Sequence, residues 1–165
     1  MTIAIVLFTI TLIGLMYMAR TRYNANKRDE ILYNFEEFAF TIDSFEHAIF
    51  EGTNKQRGDL ASLRLDKTMC EVAKLRCTEL QESHRLSHDG FEDDKAFLIA
   101  EGLDSATENI GYGYNTPEAF LDAWWNSEPH RLALLSKSYR YIGIGVSDDK
   151  KWACIVFGVD YDSNN

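Results

Sequence analysis

Four short segments of the chain hold the side chains that could bind a metal ion or transfer a proton. They are Ser87-His88-Asp89, Glu92-Asp93-Asp94, Glu108-Asn109 and His130-Arg131. Imidazoles and carboxylates are common ligands of divalent cations and common acid–base groups of enzymes. Singly they say little, because a lone histidine in a polar loop is usually hydrogen-bonded and an acidic triplet is usually solvated. Their spacing does not by itself show that they meet.

No activated nucleophile can be identified from the sequence. Ser87 and Ser127 each lie near a histidine, but Ser127 is expected to cap a helix and no oxyanion-hole segment can be named. The chain also has no HExxH spacing of the kind that zinc proteases use. These observations favour a domain that is not an enzyme.

Composition limits the class of protein further. The 165 residues include 17 Lys and Arg against 26 Asp and Glu, which gives a formal net charge of −9. This length suits one domain, and the acidic balance argues against nucleic acid as a partner. The three cysteines, Cys70, Cys77 and Cys154, are too few and odd in number for a disulfide framework. We expect them to be buried thiols.

Residues 1–19 carry no charged side chain. At about 1.5 Å per residue a helix of this length reaches about 28 Å, close to the thickness of a bilayer's hydrocarbon core. A cleaved signal peptide is the alternative, but no Lys or Arg precedes the apolar run and no convincing A-x-A site follows it. The pattern therefore predicts an N-terminal transmembrane helix that serves as a single-pass anchor in membrane lipid.

A basic flank follows the predicted anchor. Residues 20–28 contain four basic side chains and no acid, so the flank either contacts anionic headgroups or is a solvated stop-transfer signal. The positive-inside rule would place it, and everything after it, on the cytoplasmic side.

Residues 29–51 have seven acids, no base and an apolar stripe at helical spacing. The stripe predicts either a stalk that pairs two chains or a helix that packs on the chain's own domain. We favour the second, since phenylalanines suit a broad contact better than a narrow seam. The division expected is an anchor at 1–19, a basic flank and amphipathic stalk at 20–42, a globular domain at 43–160 and a tail at 161–165. The stripe comprises Ile31, Phe35, Phe38, Ile42, Phe45 and Ile49.

Local signals predict helices first and a hairpin last. Asp66 is expected to cap a helix that runs to about Ser83, Thr116-Pro117-Glu118 to start a second, and Ser127-Glu128-Pro129 to start a third. Residues 141–146 and 152–159 alternate as two antiparallel strands. Gly143 and Gly145 leave one face of the first strand bare, so another segment should approach it closely. This order of elements indicates an α+β fold.

Several short motifs, taken in order, resemble the CAP superfamily, the cysteine-rich secretory, antigen 5 and pathogenesis-related-1 domain. The likeness covers about two thirds of the chain and is closest to the cysteine-poor prokaryotic branch. The motifs are Asn54-x-x-Arg57, Leu63 to Asp66, Ala73 with Arg76, Leu86 to Phe91, Glu108 to Gly113, Thr116 to Phe120, Trp124 to Arg131, Tyr141 to Val146 and Trp152 to Gly158.

The resemblance implies a three-layer α-β-α sandwich with a small antiparallel sheet and a solvent-facing cleft lined by two histidines and two acids. Matched by motif, these are His88, His130, Glu108 and, as the fourth member, Asp93, with Glu92 as the alternative. Relatives usually have an arginine after the fourth acid, whereas this chain has Asp94. The cleft set would suit a divalent metal, zinc above all, or acid–base work by histidines whose pKa values the carboxylates raise.

The resemblance also implies the function classes to weigh. The first is a membrane-anchored binding module for a lipid, sterol, other amphiphilic or peptide ligand. The alternatives are a metal-assisted, protease-like hydrolase that uses the same cleft, and a non-catalytic membrane protein that pairs through residues 29–51. CAP-like domains generally work outside the cytoplasm, so the resemblance favours the extracytoplasmic side despite the basic flank.

Overall fold

The computed structural model describes residues 42–160. The predicted anchor at 1–19, nearly all of the predicted flank and stalk at 20–42, and the tail at 161–165 lie outside these residues. Within the described part of the chain, no helix is both long and apolar enough to cross a bilayer. The helices there are α1 (Ser44–Arg57), α2 (Lys67–Ser83), α3 (Phe91–Ala100), α4 (Pro117–Asn126) and α5 (Glu128–Leu134). The strands are β1 (Arg64–Leu65), β2 (Leu103–Tyr112), β3 (Tyr141–Val146) and β4 (Trp152–Asp160).

The strands form one sheet in the order β1-β3-β4-β2. The predicted hairpin is confirmed, because β3 and β4 pair antiparallel, and β2 extends the sheet antiparallel on the far side of β4. The small antiparallel sheet expected is thus present in β2, β3 and β4, but β1 departs from it, since β1 pairs parallel with β3. The sheet is therefore mixed, and a strand of two residues is too short to show the periodicity from which it could be predicted.

Helices cover both faces of the sheet, in the three-layer arrangement expected. On one face α2 and α3 enclose a core that contains Met69, Ala73, Leu98 and Val156. On the other face α1, α4 and α5 enclose a second core. This second core includes Ile49, Phe120, Trp124, Leu134, Ile144 and Phe157. Residues of β4 alternate between the two cores, as the period of two of a strand requires.

Two of the three predicted helix N-caps are confirmed. The Asp66 carboxylate accepts a hydrogen bond from the Met69 N–H (2.8 Å) at the start of α2, and the Thr116 hydroxyl accepts one from Ala119 before α4. Ser127 occupies the N-cap position of α5, but its side chain makes no capping hydrogen bond there. The sequence motifs did not predict α3 or β2 as elements.

The amphipathic stripe is divided at Asp43, which corrects the expectation of one continuous helix. The Asp43 carboxylate accepts hydrogen bonds from the N–H groups of Phe45 and Glu46, and the Glu46 carboxylate accepts one from Asp43 N–H (3.0 Å). This capping box starts α1 at Ser44 and leaves Ile42 outside the helix. Phe45 meets the Phe120 ring edge-on at 6.2 Å, and Ile49 is fully buried. These two stripe residues therefore pack on their own domain, while residues 31–38 lie outside the described part.

Helix α2 packs on the bare face of β3, as Gly143 and Gly145 predicted. A Cβ atom on Gly143 would lie 2.1 Å from the Met69 carbonyl carbon, and one on Gly145 would lie 2.3 Å from that of Ala73. Helix and strand therefore touch backbone to backbone. This contact fixes the depth at which α2 lies on the sheet.

We expect Gly143→Ala to destabilise the domain by about 3 kcal/mol, because the new methyl group meets rigid helix backbone. Gly158→Ala is the matched control: its Cβ would lie 2.9–3.0 Å from the flexible side-chain ends of Leu103 and Met69. It should cost about 1 kcal/mol. Urea unfolding of the full chain measures both, and equal losses would contradict the backbone contact between α2 and β3.

Candidate functional site

The candidate site lies at the free edge of the sheet, where β2 is the last strand. Glu108 and Asn109 are consecutive in β2, so their side chains point to opposite faces. Glu108 points toward the α2 and α3 side, where it meets Arg76 (Nε to Oε2, 3.2 Å). Asn109 points to the other side, where its Nδ2 donates to the backbone carbonyl of His130 (3.0 Å). Groups from both faces are thus brought together at this edge.

A buried ion pair forms the base of the site. Arg76 on α2 donates from Nε to Glu108 Oε2 and from Nη2 to Oε1 (3.4 Å), and the two side chains are 3% and 1% exposed. Burial would lower the pKa of Arg76, but the charge of Glu108, the hydrogen bond to it and the charges of other nearby acidic groups together outweigh burial, so the pKa lies above its ordinary value. Arg76 is therefore held in its charged form beside Glu108.

His88 lies above this ion pair and faces solvent. Its Nδ1 is 2.9 Å from Glu108 Oε1, and its side chain is 59% exposed. An ionised carboxylate only accepts hydrogen bonds, so Nδ1 carries the proton and Nε2 is left for a ligand. The loop before α3 is held by Arg76, whose Nη2 donates to the Ser87 carbonyl (2.6 Å) and whose Nη1 would lie 3.4 Å from a Cβ atom on Gly90.

His130 approaches His88 from the opposite face of the sheet. Its ring, carried by α5, lies 6.3 Å from the His88 ring, centroid to centroid, with the planes inclined at 58°. Burial lowers the pKa of His130, and charge on His88 lowers it further. The expectation that carboxylates raise the pKa of both histidines is therefore wrong for His130, because its charged neighbour is another imidazole.

The fourth predicted member does not join these three through a hydrogen bond, ion pair or ring contact. Asp93 and the alternative Glu92 are both exposed in the first turn of α3, where Glu92 lies 3.8 Å from Lys95. The buried face of α3 instead carries Phe91, Asp94 and Leu98. Spacings of three and four residues put these on one side of the helix, so the neighbouring positions face outward.

Two residues, Arg76 in the ion pair and Asp94 near it, were not predicted as members of the site. Arg76 lies on the apolar face of α2, between Ala73 and Leu80, and an arginine among buried apolar positions signals an ion pair. Asp94 is 2% exposed, and its charge acts on Arg76 in the direction that raises the pKa of that arginine. Asp94 lies three residues after Phe91 and four before Leu98. This helical spacing is the signal from which its burial could have been predicted.

The residues present do not fit a metal held by all four predicted side chains. Within residues 42–160 no group of three His, Cys, Asp or Glu side chains is arranged to hold a metal ion. Glu108 already accepts hydrogen bonds from Arg76 and His88. A zinc ion would meet two imidazoles, fewer than the three protein ligands of a typical catalytic site.

The cysteines are buried thiols, as expected. Burial raises the pKa of Cys70 to about 12 and raises that of Cys154 well above its ordinary value. Since the thiolate is the reactive form, neither is a nucleophile at neutral pH.

The family of the chain follows from comparison with known proteins. The family model of the cysteine-rich secretory proteins, CAP, matches residues 20–161. The chain belongs to the CAP family. Two Bacillus subtilis proteins are similar to it over 113 residues: YkwD at 30% identity, covering 64% of this chain and 43% of that protein, and the membrane protein YlbC at 34%, covering 65% and 32%. The chain thus spans less than half the length of these relatives.

Solved CAP structures share the fold. The crystal structure of an extracellular SCP-domain protein from Bacillus anthracis aligns with a TM-score of 0.63 at 27% identity, over 75% of this chain and 45% of that one. The CAP identity and the α+β fold expected from the motifs are therefore confirmed.

We expect Arg76→Met to destabilise the CAP domain by about 3–5 kcal/mol, because it leaves the Glu108 carboxylate buried without its partner. The double variant Arg76→Met with Glu108→Leu should be more stable than Arg76→Met, since it removes the orphaned charge. Arg85→Met is the control: its ion pair with Asp89 is 74% and 83% exposed, and its loss should cost less than about 1 kcal/mol. Urea unfolding at pH 7 measures these three variants and the single variant Glu108→Leu, and additive effects of Arg76→Met and Glu108→Leu in the double variant would contradict the coupling.

We expect the imidazole of His130 to titrate below its ordinary value of 6.5 and to be neutral at pH 7. Because the folded state favours the neutral form, this histidine's contribution to stability is present above 6.5 and is lost as the pH falls through its folded pKa. An NMR pH titration of the ring measures it. His88→Ala should move the pKa of His130 upward, and a value above 6.5 in the unsubstituted protein would contradict this arrangement.

Proposed function

We propose that the protein is a membrane-anchored CAP domain that binds an amphiphilic or peptide ligand in the cleft between His88 and His130, on the extracytoplasmic side. The proposal rests on one observation: the bottom of the site is buried and held in place, whereas the residue above it is exposed. Arg76 and Glu108 are buried and bonded to each other, whereas His88 above them is largely exposed. A rigid polar base with accessible donors and acceptors is suited to positioning a ligand.

The rim of the cleft adds apolar surface to its polar centre. Leu86 lies two residues before His88 in the loop ahead of α3 and is 53% exposed. Such a side chain offers contact area for the apolar part of a ligand, while the imidazoles take its hydrogen-bonding group. This combination supports a ligand that is neither wholly polar nor wholly apolar.

The state of Glu108 argues against water activation. A general base needs an oxygen that is free to take a proton, but both Glu108 oxygens already accept hydrogen bonds from Arg76. Binding therefore fits the geometry better than hydrolysis.

A hydrolase remains the second candidate because of one observation. The Glu108 carboxylate orients His88 through Nδ1, which is how an acid orients a catalytic histidine. A hydrolase would then use His88 Nε2 as the base. No serine, threonine or cysteine side chain within residues 42–160 is hydrogen-bonded to His88, so water would have to be the nucleophile.

The relatives support the proposed location. YlbC carries the name of a membrane protein, and the solved Bacillus anthracis relative is described as extracellular. A membrane anchor before the CAP domain, with the domain outside, reconciles both descriptions.

Binding is tested with three probes on the full chain: a dansylated fatty acid, a pool of random heptapeptides and zinc chloride. We expect saturable binding of the fatty acid or of peptides, and a loss of about tenfold or more in affinity in His88→Ala and in His130→Ala. His47→Ala is the control, since His47 is an exposed histidine on α1. Any zinc binding should fall in both cleft variants and be unchanged in Asp93→Asn.

Two results would overturn the binding proposal. One is the absence of saturable binding of both organic probes at about 1 mM. The other is hydrolysis of peptide or ester substrates that is lost in His88→Ala and in Glu108→Gln but retained in His47→Ala, which would establish the hydrolase.

A further inference from the structure

A second buried arginine lies at the C-terminal end of α1, against the loop that joins α5 to β3. The Arg57 guanidinium donates from Nη1 to the carbonyls of Leu134 and Ser136 (3.0 Å) and from Nε to that of Ala61 (3.3 Å). The residue is 3% exposed. Within residues 42–160 all of its hydrogen bonds go to backbone carbonyls, and no carboxylate forms an ion pair with it. Carbonyl dipoles solvate the guanidinium, but they do not neutralise its charge.

A second cation lies close to this one. Arg140 is exposed and comes directly before β3, and its Nη1 donates to the carbonyls of Lys137 (2.6 Å) and Tyr139 (3.1 Å). Burial lowers the pKa of Arg57, and the charge of Arg140 lowers it further, so the two guanidinium groups are close enough to repel each other. An anion beside both would offset this repulsion.

The α5–β3 loop also has hydrogen-bond donors that lack an acceptor. Its carbonyls at Ser136, Lys137 and Tyr139 already accept from the two guanidinium groups. In the part of the chain that the structure describes, no acceptor lies within hydrogen-bond distance of the N–H groups of Lys137 and Tyr139. Backbone N–H groups of this kind in a turn form concavities that bind anions. The exposed Lys137 ammonium and Ser138 hydroxyl add two more donors.

The three cations Arg57, Lys137 and Arg140, which we call the basic cluster, have no acid to pair with among the described residues. Exposed cations elsewhere can have one, as Arg85 does in Asp89 (3.6 Å). Acids outnumber bases in the chain by 26 to 17, so partners for the basic cluster would be easy to supply. The loop instead presents positive charge and donors, while its acceptors are occupied. This combination is suited to an anionic ligand.

We propose that the basic cluster and the α5–β3 loop bind the phosphate group of a phosphate monoester. A monoester carries about two negative charges at neutral pH, so it offsets two guanidinium groups better than one carboxylate does. Arg140 contacts it through Nε and Nη2, and the ammonium and N–H of Lys137 and the N–H of Tyr139 donate to its oxygens. Arg57 acts through its charge, since carbonyls occupy its donors. The site shares no residue with the cleft at His88.

The test is an NMR titration of the full chain in neutral detergent micelles with inorganic phosphate and with glycerol 1-phosphate, at constant ionic strength. The amides of Lys137 and Tyr139 should shift saturably, with a Kd of about 1 mM or lower, and should not shift with chloride. Arg140→Gln and Lys137→Gln should each weaken binding by about tenfold or more. Arg140→Lys keeps the charge but loses the planar fork, so it should lose only about threefold.

Arg64→Gln is the matched control for these variants. Arg64 is also an exposed arginine with no ion pair among the described residues, and its N–H donates to the Arg140 carbonyl (2.9 Å). It is paired in register with Tyr141, whose ring packs on the core under α2 and α3, so its side chain lies on that face of the sheet and not with Arg57. Its substitution should change the affinity by less than about twofold.

A further arm distinguishes a soluble ester from a lipid headgroup. Micelles that contain phosphatidic acid present the same phosphate monoester on a lipid, and micelles that contain phosphatidylcholine are the control. Shifts of the Lys137 and Tyr139 amides with glycerol 1-phosphate assign the site to soluble esters. Shifts with phosphatidic acid but not with glycerol 1-phosphate assign it to a lipid headgroup. Either result supports the phosphate site.

Three results would overturn the phosphate site. The first is the absence of saturable shifts with inorganic phosphate, glycerol 1-phosphate and phosphatidic acid at about 20 mM. The second is an equal loss of affinity in Arg140→Gln and Arg64→Gln, which would indicate general charge screening. The third is loss of phosphate binding in His88→Ala, which would place the anion in the cleft. The first two leave the proposed binding of an organic ligand at the cleft standing.

Discussion

The buried ion pair between Arg76 and Glu108 is the interaction on which the site depends. Removing two charges from water costs several kcal/mol for each, and only good geometry with further hydrogen bonds offsets it. The guanidinium supplies these bonds by contacting Glu108 on β2 and the Ser87 carbonyl in the loop before α3. Because the same group satisfies the strand and the loop, neither can move without leaving a charge or a carbonyl unpaired. His88 takes its position from both.

The close contact between α2 and the sheet explains why an arginine can reach a strand two positions away from β3. With glycines at 143 and 145, the helix lies directly on β3, at Met69 and Ala73. Arg76 follows Ala73 by one helical turn, so its side chain starts near the sheet surface and extends across β4 to Glu108. A larger residue at either glycine would lift the helix. The ion pair therefore forms only when the helix lies this close to the sheet.

Local signals were sufficient for much of the fold but not for the chemistry of the site. Caps at Asp66 and Thr116 and the bare face of β3 follow from interactions within a few residues, which the sequence displays. His88, Glu108 and His130 were assigned through the likeness of motifs to the CAP family, since no local rule brings residues so far apart to one place. The direction of the His130 pKa shift depends on burial and on the neighbouring ring, and both are tertiary properties.

The position of β2 at the edge explains why the site can exist where it does. A side chain in a central strand is separated from the opposite face by the sheet itself. At an edge strand that barrier ends, so His88 from the loop before α3 and His130 from α5 can lie 6.3 Å apart although they belong to different layers. Consecutive residues complete the arrangement, since Glu108 bonds the first histidine and Asn109 holds the backbone of the second. The meeting of the two histidines is therefore a consequence of strand order, and a further strand beside β2 would occupy the place where the two layers meet.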